Sequence, residues 1–227
     1  MLYIVATPIG NLEDLSLRAA KTLASSDIIL AEDTRSAHIL LDHIKKSYML
    51  PVTCSVIISF YKDCEFEKLP QVINWLNEGK NISLISESGM PLISDPGYFL
   101  VATCIKKGMQ FTVIPGPTAI TTSLVYSGFN PENFMFMGFL PKKESQVFRY
   151  IDILKSIKKI NPKTVFIFYE SPKRINKTLE IIEKLIPEAK ICICREMTKK
   201  FEEIIRGKAP DLLNRTYKGE IVLLVKL

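Results

Sequence analysis

Four carboxylates stand where apolar runs give way to polar, turn-forming residues: Glu32 and Asp33 in AEDTR, Glu170 in FYESPKR and Glu196 in REMTK. Each has a cation within four residues, Arg35, Arg174, Arg195 or Lys199. A carboxylate so placed can accept a proton from a weakly acidic hydroxyl or hold that hydroxyl in line, and a neighbouring ammonium keeps it ionised. Glu170 and Glu196 are the pair chosen for acid–base or orienting work, with Lys199 as the ionising charge. The same residues would equally serve an ion-pair network that only ties elements together. Arg35, Arg174 and Arg195, with Lys142, Lys143 and Lys173, could orient phosphates, because a guanidinium matches two phosphate oxygens and an ammonium supplies a point charge.

Glycine and proline gather in three further stretches: ATPIGN at 6–11, SESGMPLISDPGY at 86–98 and PGPT at 115–118. Glycine lets a ligand approach the main chain, and proline fixes loop shape with little loss of chain entropy. Taken singly, such clusters mark ordinary turns. All three follow apolar β-branched runs, as AEDTR does. In a parallel sheet the C-terminal strand ends share one edge, where open α/β folds bind ligands.

The elements that must position these residues are legible in the hydrophobic pattern. LYIVA (2–6), IILAE (28–32), VIISF (56–60), ISLIS (82–86) and FTVIP (111–115) are continuous apolar runs. Between them lie helical spacings: Leu15, Ala19 and Leu23, then Leu69, Val72, Ile73 and Leu76, with Gly79 and Gly108 as helix stops. Unalternating strands separated by helices predict a parallel sheet covered on both faces. The second half has strands at 133–141, 164–172, 190–198, 201–208 and 219–227, with a helix from Asn176 to Leu185. Its last three strands are too close for helical crossovers, so this sheet is expected to be mixed. The expected architecture is two α/β lobes, residues 1–115 and 116–227, joined near PGPTAI.

Composition limits the functional classes. Apolar residues at 47% and charged residues at 24% describe a globular chain. No apolar run approaches the roughly 18 residues of a membrane span, and the N-terminus lacks an export pattern, so the reading is cytoplasmic with no membrane partner. Five cysteines, without metal-ligand spacing, read as reduced packed thiols, Cys192 and Cys194 included. His38 and His43 share one helix pattern and read as a packed or solvated helix face; no metal is expected. Residues 1–115 have 10 Lys+Arg against 12 Asp+Glu, and the remainder 20 against 12. A basic second half, with KSIKKINPK, SPKR and TKK and aromatics nearby, favours a polyanionic partner.

LYIVATPIGNLEDLSLRA, AEDTR, SxSGxPLISDPGY, PGPTA, GFLP, FYESPKR, REMTK and KGEIVLLV, in this order over nearly the whole chain, resemble the tetrapyrrole-methylase superfamily. They are most similar to its ribosomal branch, the small-subunit ribosomal RNA cytidine 2′-O-methyltransferases. The resemblance implies S-adenosylmethionine in the cleft between the lobes, a homodimer, and 16S ribosomal RNA, within the small subunit, as acceptor. It places Pro8, Gly10, Ser86, Glu87, Ser88, Gly89, Met90, Pro91, Pro115, Gly116, Pro117, Thr118 and Gly138 at the cofactor. Ile93, Met137 and Leu140 are expected to wall an adenine slot. Asn11, Asp33, Arg35, Lys142, Lys143, Lys173, Arg174 and Arg195 fall to the RNA. Three features depart from the family pattern: Glu87 and Met90 replace aspartate and threonine, SFYKDCE (59–65) lacks the usual histidines and asparagine, and close relatives often extend past Leu227. A tetrapyrrole or other small acceptor, and a ribosome-binding relative without catalysis, are the alternatives.

Overall fold

A computed structural model describes residues 1–54 and 56–227. The chain divides into two compact units, Met1–Thr118 and Ala119–Leu227. The division falls three residues after the one read from the sequence. The reason is local: a Cβ on Gly116 would lie 2.9 Å from that of Ala6, and Pro117 O is 3.6 Å from where a Cβ on Gly89 would stand. PGP therefore packs with the first unit.

The first unit holds strands β1 (Leu2–Val5), β2 (Ile28–Ala31), β3 (Val56–Ser59), β4 (Ile82–Ile85) and β5 (Phe111–Ile114) in the order β3-β2-β4-β1-β5, all parallel. Helices α1 (Leu17–Ala24) and α2 (Thr34–Ser47) cover one face, α3 (Glu65–Asn77) and α4 (Tyr98–Lys106) the other. The period of two sorts the strands accordingly: Val5, Ile29, Ala31 and Ile85 join α1 and α2, while Leu2, Ile4, Ile28, Leu30, Ile82 and Leu84 join α3 and α4. Both faces are thus dry, which is why these runs do not alternate. Ser16 caps α1 through Ala19 N at 3.1 Å. Gly79 and Gly108 sit just past α3 and α4 at positive φ, where their amides and the following ones close the last turns. α3 starts at Glu65, ahead of the apolar spacing at 69–76, and includes Pro70.

The second unit opens with α5 (Ala119–Ser127), followed by β6 (Phe134–Phe139), α6 (Glu144–Ile160), β7 (Val165–Glu170), α7 (Ile175–Leu185), β8 (Lys190–Arg195), β9 (Glu203–Gly207), α8 (Ala209–Leu212) and β10 (Ile221–Lys226). Its sheet runs β6-β7-β10-β8-β9. β6 and β7 are parallel; β10 is antiparallel to both β7 and β8, and β9 is antiparallel to β8. The mixed sheet is as expected from the short connections. Helices α5 and α6 were not read from the sequence: α6 absorbs Lys155, Lys158 and Lys159 of KSIKKINPK near its C-terminus, where cations offset the helix dipole. Among the described residues no helix is long and apolar enough to cross a membrane, and no group of three or more His, Cys, Asp or Glu side chains could hold a metal.

Candidate active site

Parallel pairing brings the C-terminal ends of all five strands of the first unit to one edge, and there three of the quoted loops are stitched together. Ala6 N donates to Ile114 O at 3.1 Å; Thr7 N donates to Gly89 O at 2.9 Å and Gly89 N to Thr7 O at 3.2 Å. Ser86 Oγ also donates to Gly89 O at 3.2 Å. TPIG, SESG and PGP therefore form one surface. Pro8, Ser86, Gly89 and Pro91 are buried in it, Ser88, Met90, Pro117 and Thr118 are half-buried, and Gly10, Glu87, Ile93, Pro115 and Gly116 are exposed. Gly89 has φ +83, and a Cβ there would meet Ile9 Cγ2 at 3.3 Å. A side chain at Gly89 would thus wedge into the seam between loops instead of projecting into a ligand site.

The loop from Ser86 to Gly97 is strained: Leu92 and Ser94 adopt left-handed φ values of 72° and 74°. Such conformations cost a non-glycine residue about 1–2 kcal/mol each and persist only where surroundings impose them. Its far end is imposed by a residue the sequence reading assigned no role. The buried Glu65 carboxylate accepts from Gly97 N (3.2 Å), Phe99 N (2.9 Å) and Leu100 N (3.1 Å), capping α4 from the start of α3. Nothing in SFYKDCE signals a partner 32 residues away.

Three carboxyls converge on this edge. Burial, followed by the charge of Glu32, pushes Asp95 up to about 6, with Ser86 hydrogen-bonded to it and Glu87 adding repulsion. Burial, then Glu87, pushes Glu32 above the usual carboxylate range. Arg35, whose charge is felt by Glu87, is itself paired with Asp33, Nη2–Oδ2 at 2.7 Å. Asp33 is itself the N-cap of α2, accepting from Arg35 N at 2.8 Å. The Arg35 side chain's hydrogen bonds hold the Asp33 carboxyl below its ordinary range. Asn11 likewise caps a short 3-10 turn through Glu13 N. The edge therefore carries excess negative charge. The Asp95 shift has a sign that can be tested. A proton bound more tightly in the folded state adds stability below about pH 4, and this is lost as pH rises through about 6. Asp95→Asn is expected to unfold at higher temperature than the parent at pH 7, with the gap closing toward pH 4; a pH-independent gap would refute the shift.

The second unit gathers its own edge. Ile221 pairs with Glu170 on one side and Arg195 on the other, and Phe139 pairs with Tyr169. GFLP, FYESPKR, REMTK and KGE thus meet at neighbouring strand ends. Glu170, with its side chain 1% exposed, is enclosed by donors: Arg174 Nη2 lies 2.6 Å from Oε1, Ser171 N donates to Oε1 at 2.7 Å and Thr178 Oγ1 to Oε2 at 2.8 Å. Arg174 also donates to Leu140 O at 3.0 Å, clamping the loop after β6 to the loop after β7. Glu170 and Arg174 thus have the geometry of an orienting clamp, in which the carboxylate is enclosed and the guanidinium spans two loops. Arg195 is similarly bound to Glu203 Oε2 (3.1 Å) and Lys218 O (3.3 Å). Lys142, Lys143 and Lys173, beside the clamp, are exposed, and among the described residues they form no ion pair.

Glu196 differs. It has φ +50, and a Cβ on Gly219 would lie 2.3 Å from its Oε1, so glycine is required opposite it. Oε1 accepts from Glu220 N at 2.9 Å and Lys199 Nζ at 3.1 Å, and Nζ reaches Glu220 Oε2 at 2.8 Å. Burial alone would raise the Glu196 carboxyl, but the Glu220 amide, Lys199 and Arg195 outweigh it and hold it low. Burial would lower Lys199, and the Glu220 and Glu196 carboxylates outweigh that to raise it. Both groups are therefore held charged, the condition read from their spacing. Gly219 and Glu220 escaped the sequence reading, although KGE was among the motifs. Met137 and Gly138 form a bulge in β6, where Gly138 takes φ +69 and the register shifts between Phe136 and Phe139; Leu140 is buried in the core of this unit. A hollow of about 520 Å³ beside α2, lined by His38, Asp42, Lys45 and Cys54 among others, belongs to neither edge.

The tetrapyrrole (corrin/porphyrin) methylase family matches residues 1–213. The chain is 40% identical over 230 residues to the ribosomal RNA small subunit methyltransferase I of Thermotoga maritima, covering 99% of this chain and 97% of that one. It is 39% identical over 229 residues to the protein of the same name from Hydrogenobaculum sp. (strain Y04AAS1), covering 99% and 94%. In fold it is similar to the methyltransferase CobJ, with TM-score 0.68 and 17% identity over 99% of this chain and 92% of that one. The uroporphyrin-III-C-methyltransferase of Thermus thermophilus is similar too, with TM-score 0.64 and 15% identity over 99% and 93%. Five parallel strands with glycine- and proline-rich strand ends, a second mixed sheet and these full-length likenesses agree: the chain belongs to the tetrapyrrole (corrin/porphyrin) methylase family and is a methyltransferase.

Proposed function

We propose that the protein methylates the ribose 2′-oxygen of a cytidine in 16S ribosomal RNA, with S-adenosylmethionine as donor and the small subunit as substrate, in the cytoplasm and as a homodimer. The observation that supports the acceptor above all is the 40% identity, over 99% of this chain, to a protein named as a small-subunit ribosomal RNA methyltransferase. The exposed, unpaired Lys142, Lys143 and Lys173 support it as well: they are cations free for the phosphates that flank a target nucleotide.

The donor is supported by the chemistry of the first unit's edge. Glu32, Glu87 and Asp95 repel one another with Arg35 already paired, so the edge suits a ligand bearing positive charge, and S-adenosylmethionine has a sulfonium and an ammonium. When bound, that group supplies an activated methyl for in-line displacement. Exposed main chain at Gly10, Pro115 and Gly116 offers carbonyls and amides without side-chain obstruction, and the half-buried Met90 adds apolar contact. In the second unit, Glu196 held ionised beside Lys199 is the group suited to orient a hydroxyl and accept its proton, while Lys199 offsets the charge that develops on oxygen. Glu170 and Arg174 hold the loops with Lys142, Lys143 and Lys173.

The test is transfer of labelled methyl to purified small subunits lacking this modification, with mapping of the modified nucleotide and a porphyrin precursor as the competing acceptor. Label on one ribose of a cytidine is the expected result. Label on the porphyrin, or on neither acceptor with donor bound, would overturn the acceptor assignment.

A further inference from the structure

We infer that Glu65 is a positioning residue for donor binding: it pins the far end of the 86–97 loop and so selects the loop conformation that the donor meets. The inference rests on the donor site proposed above. A helix N-terminus leaves its first amides without intrahelical partners, and a Ser, Thr, Asp or Asn at the N-cap ordinarily supplies an acceptor. At α4 the N-cap is Gly97, with φ +118, and no side chain caps the helix locally. A local cap is sterically barred, since a Cβ at Gly97 would stand 2.5 Å from Leu84 Cδ2 and 3.0 Å from Leu92 Cδ1. The backbone passes this close because the loop leaves β4 at Ser86 and returns over Leu84 of the same strand.

The acceptor therefore has to come from elsewhere in the chain, and Glu65 provides it. Its Oε1 takes Phe99 N and Leu100 N, and its Oε2 takes Gly97 N. The carboxylate is 3% exposed, so water does not substitute for it, and its negative charge sits at the positive end of the α4 dipole. Phe66, next in α3, packs on Phe99 with ring centroids 4.3 Å apart, adding an apolar clasp between the same helix starts. At its other end the loop is held by the Thr7–Gly89 pair of backbone hydrogen bonds. Between these two anchors lie left-handed Leu92 and Ser94, together with Met90, Ile93 and Asp95. Release of one anchor lets Leu92 and Ser94 relax toward extended φ, and the binding-competent loop becomes a minor conformer. Apparent affinity then falls by the fraction that remains competent.

The variants are Glu65→Gln and Glu65→Ala in the full chain. Gln keeps one oxygen for Phe99 and Leu100 but turns an amide toward Gly97 N–H; Ala removes every acceptor. The donor KM of Glu65→Ala is expected to rise about ten-fold, the size of losing a helix cap carried into loop population, with Gln between Ala and parent. The acceptor KM and kcat stay within about two-fold, because the edge with Glu196 and Lys199 is untouched. Hydrogen exchange at Gly97, Phe99 and Leu100 is expected to quicken in the same order. A purely structural role would lower kcat through a smaller active fraction at unchanged donor KM, and that pattern overturns the inference. An unchanged donor KM overturns it whether or not exchange at those amides changes. Should Ala not fold, the isosteric Gln decides between these outcomes. Donor titration of the parent separates the two readings: a parent that binds no donor removes the donor site itself, whereas equal binding by parent and Gln variant removes only the role of Glu65.

Discussion

Replacing Lys199 with methionine is expected to slow methyl transfer about a hundred-fold or more, at the lower end of what a positioned proton-transfer group contributes. The ammonium lies 3.1 Å from Glu196 Oε1 and 2.8 Å from Glu220 Oε2 and so bridges the two carboxylates. Without it the two carboxylates repel, and Glu196 retains the Glu220 amide at 2.9 Å as its remaining strong donor. Its carboxyl then rises, because burial is the largest influence on it and favours the neutral form. Without the ammonium Glu196 is no longer held in place to align the hydroxyl, and the charge that develops on oxygen goes unopposed. Lys199→Arg restores the charge without the point geometry and is expected to recover part of the rate. Single-turnover transfer to small subunits, alongside donor titration, is the measurement. Donor affinity should hold within about two-fold, since the loops proposed for the donor in the first unit make no bond to Lys199. A Lys199→Met rate within about three-fold of the parent would leave the Glu196–Lys199–Glu220 cluster with a structural role only.

Glu170→Ala is expected to be the most damaging single change to stability, at about 3 kcal/mol or more, because removing one member of a buried ion pair strands the other. Arg174 would keep only Leu140 O, and Ser171 N and Thr178 Oγ1 would lose their acceptor. Each newly unsatisfied buried group adds to the loss. Glu170→Gln keeps the shape and some of the bonds, so its penalty should be smaller. Urea unfolding of parent and both variants gives the numbers, and a loss under about 1 kcal/mol for Ala would show that the clamp is weaker than its geometry implies. Since the clamp also sets the loops holding Lys142, Lys143 and Lys173, the Gln variant should lose affinity for RNA at low salt before it loses its fold.

The strands were legible because continuous β-branched runs such as IILA and IVLLVK leave few alternatives, and the mixed second sheet followed from the short spacing of its last three runs. Helix α6 was missed because its lysines masked the spacing of Val147, Ile151 and Leu154, the residues that pack into the core. The quoted loops were also legible, since glycine and proline mark them whatever they contact. Roles within them were less so. Glu170 and Glu196 look alike in sequence, each a carboxylate at a strand end with a cation three or four residues on. One is enclosed by Arg174, Ser171 and Thr178, and the other stands half-open beside Lys199.

By itself the sequence determined which residues end the strands and which loops are rich in exposed main chain, because both depend on hydrophobic period and turn chemistry within about ten residues. Tertiary structure alone decided which charges are spent and which are free. Glu65 meets Gly97, Arg195 meets Glu203, Glu196 meets Glu220, and Asp95 is crowded by Glu32 and Glu87 through contacts made across sheets and loops. A hydrogen bond occupies a carboxylate oxygen irrespective of how far along the chain its donor lies, so occupancy is a property of the packed sheet and not of the local sequence.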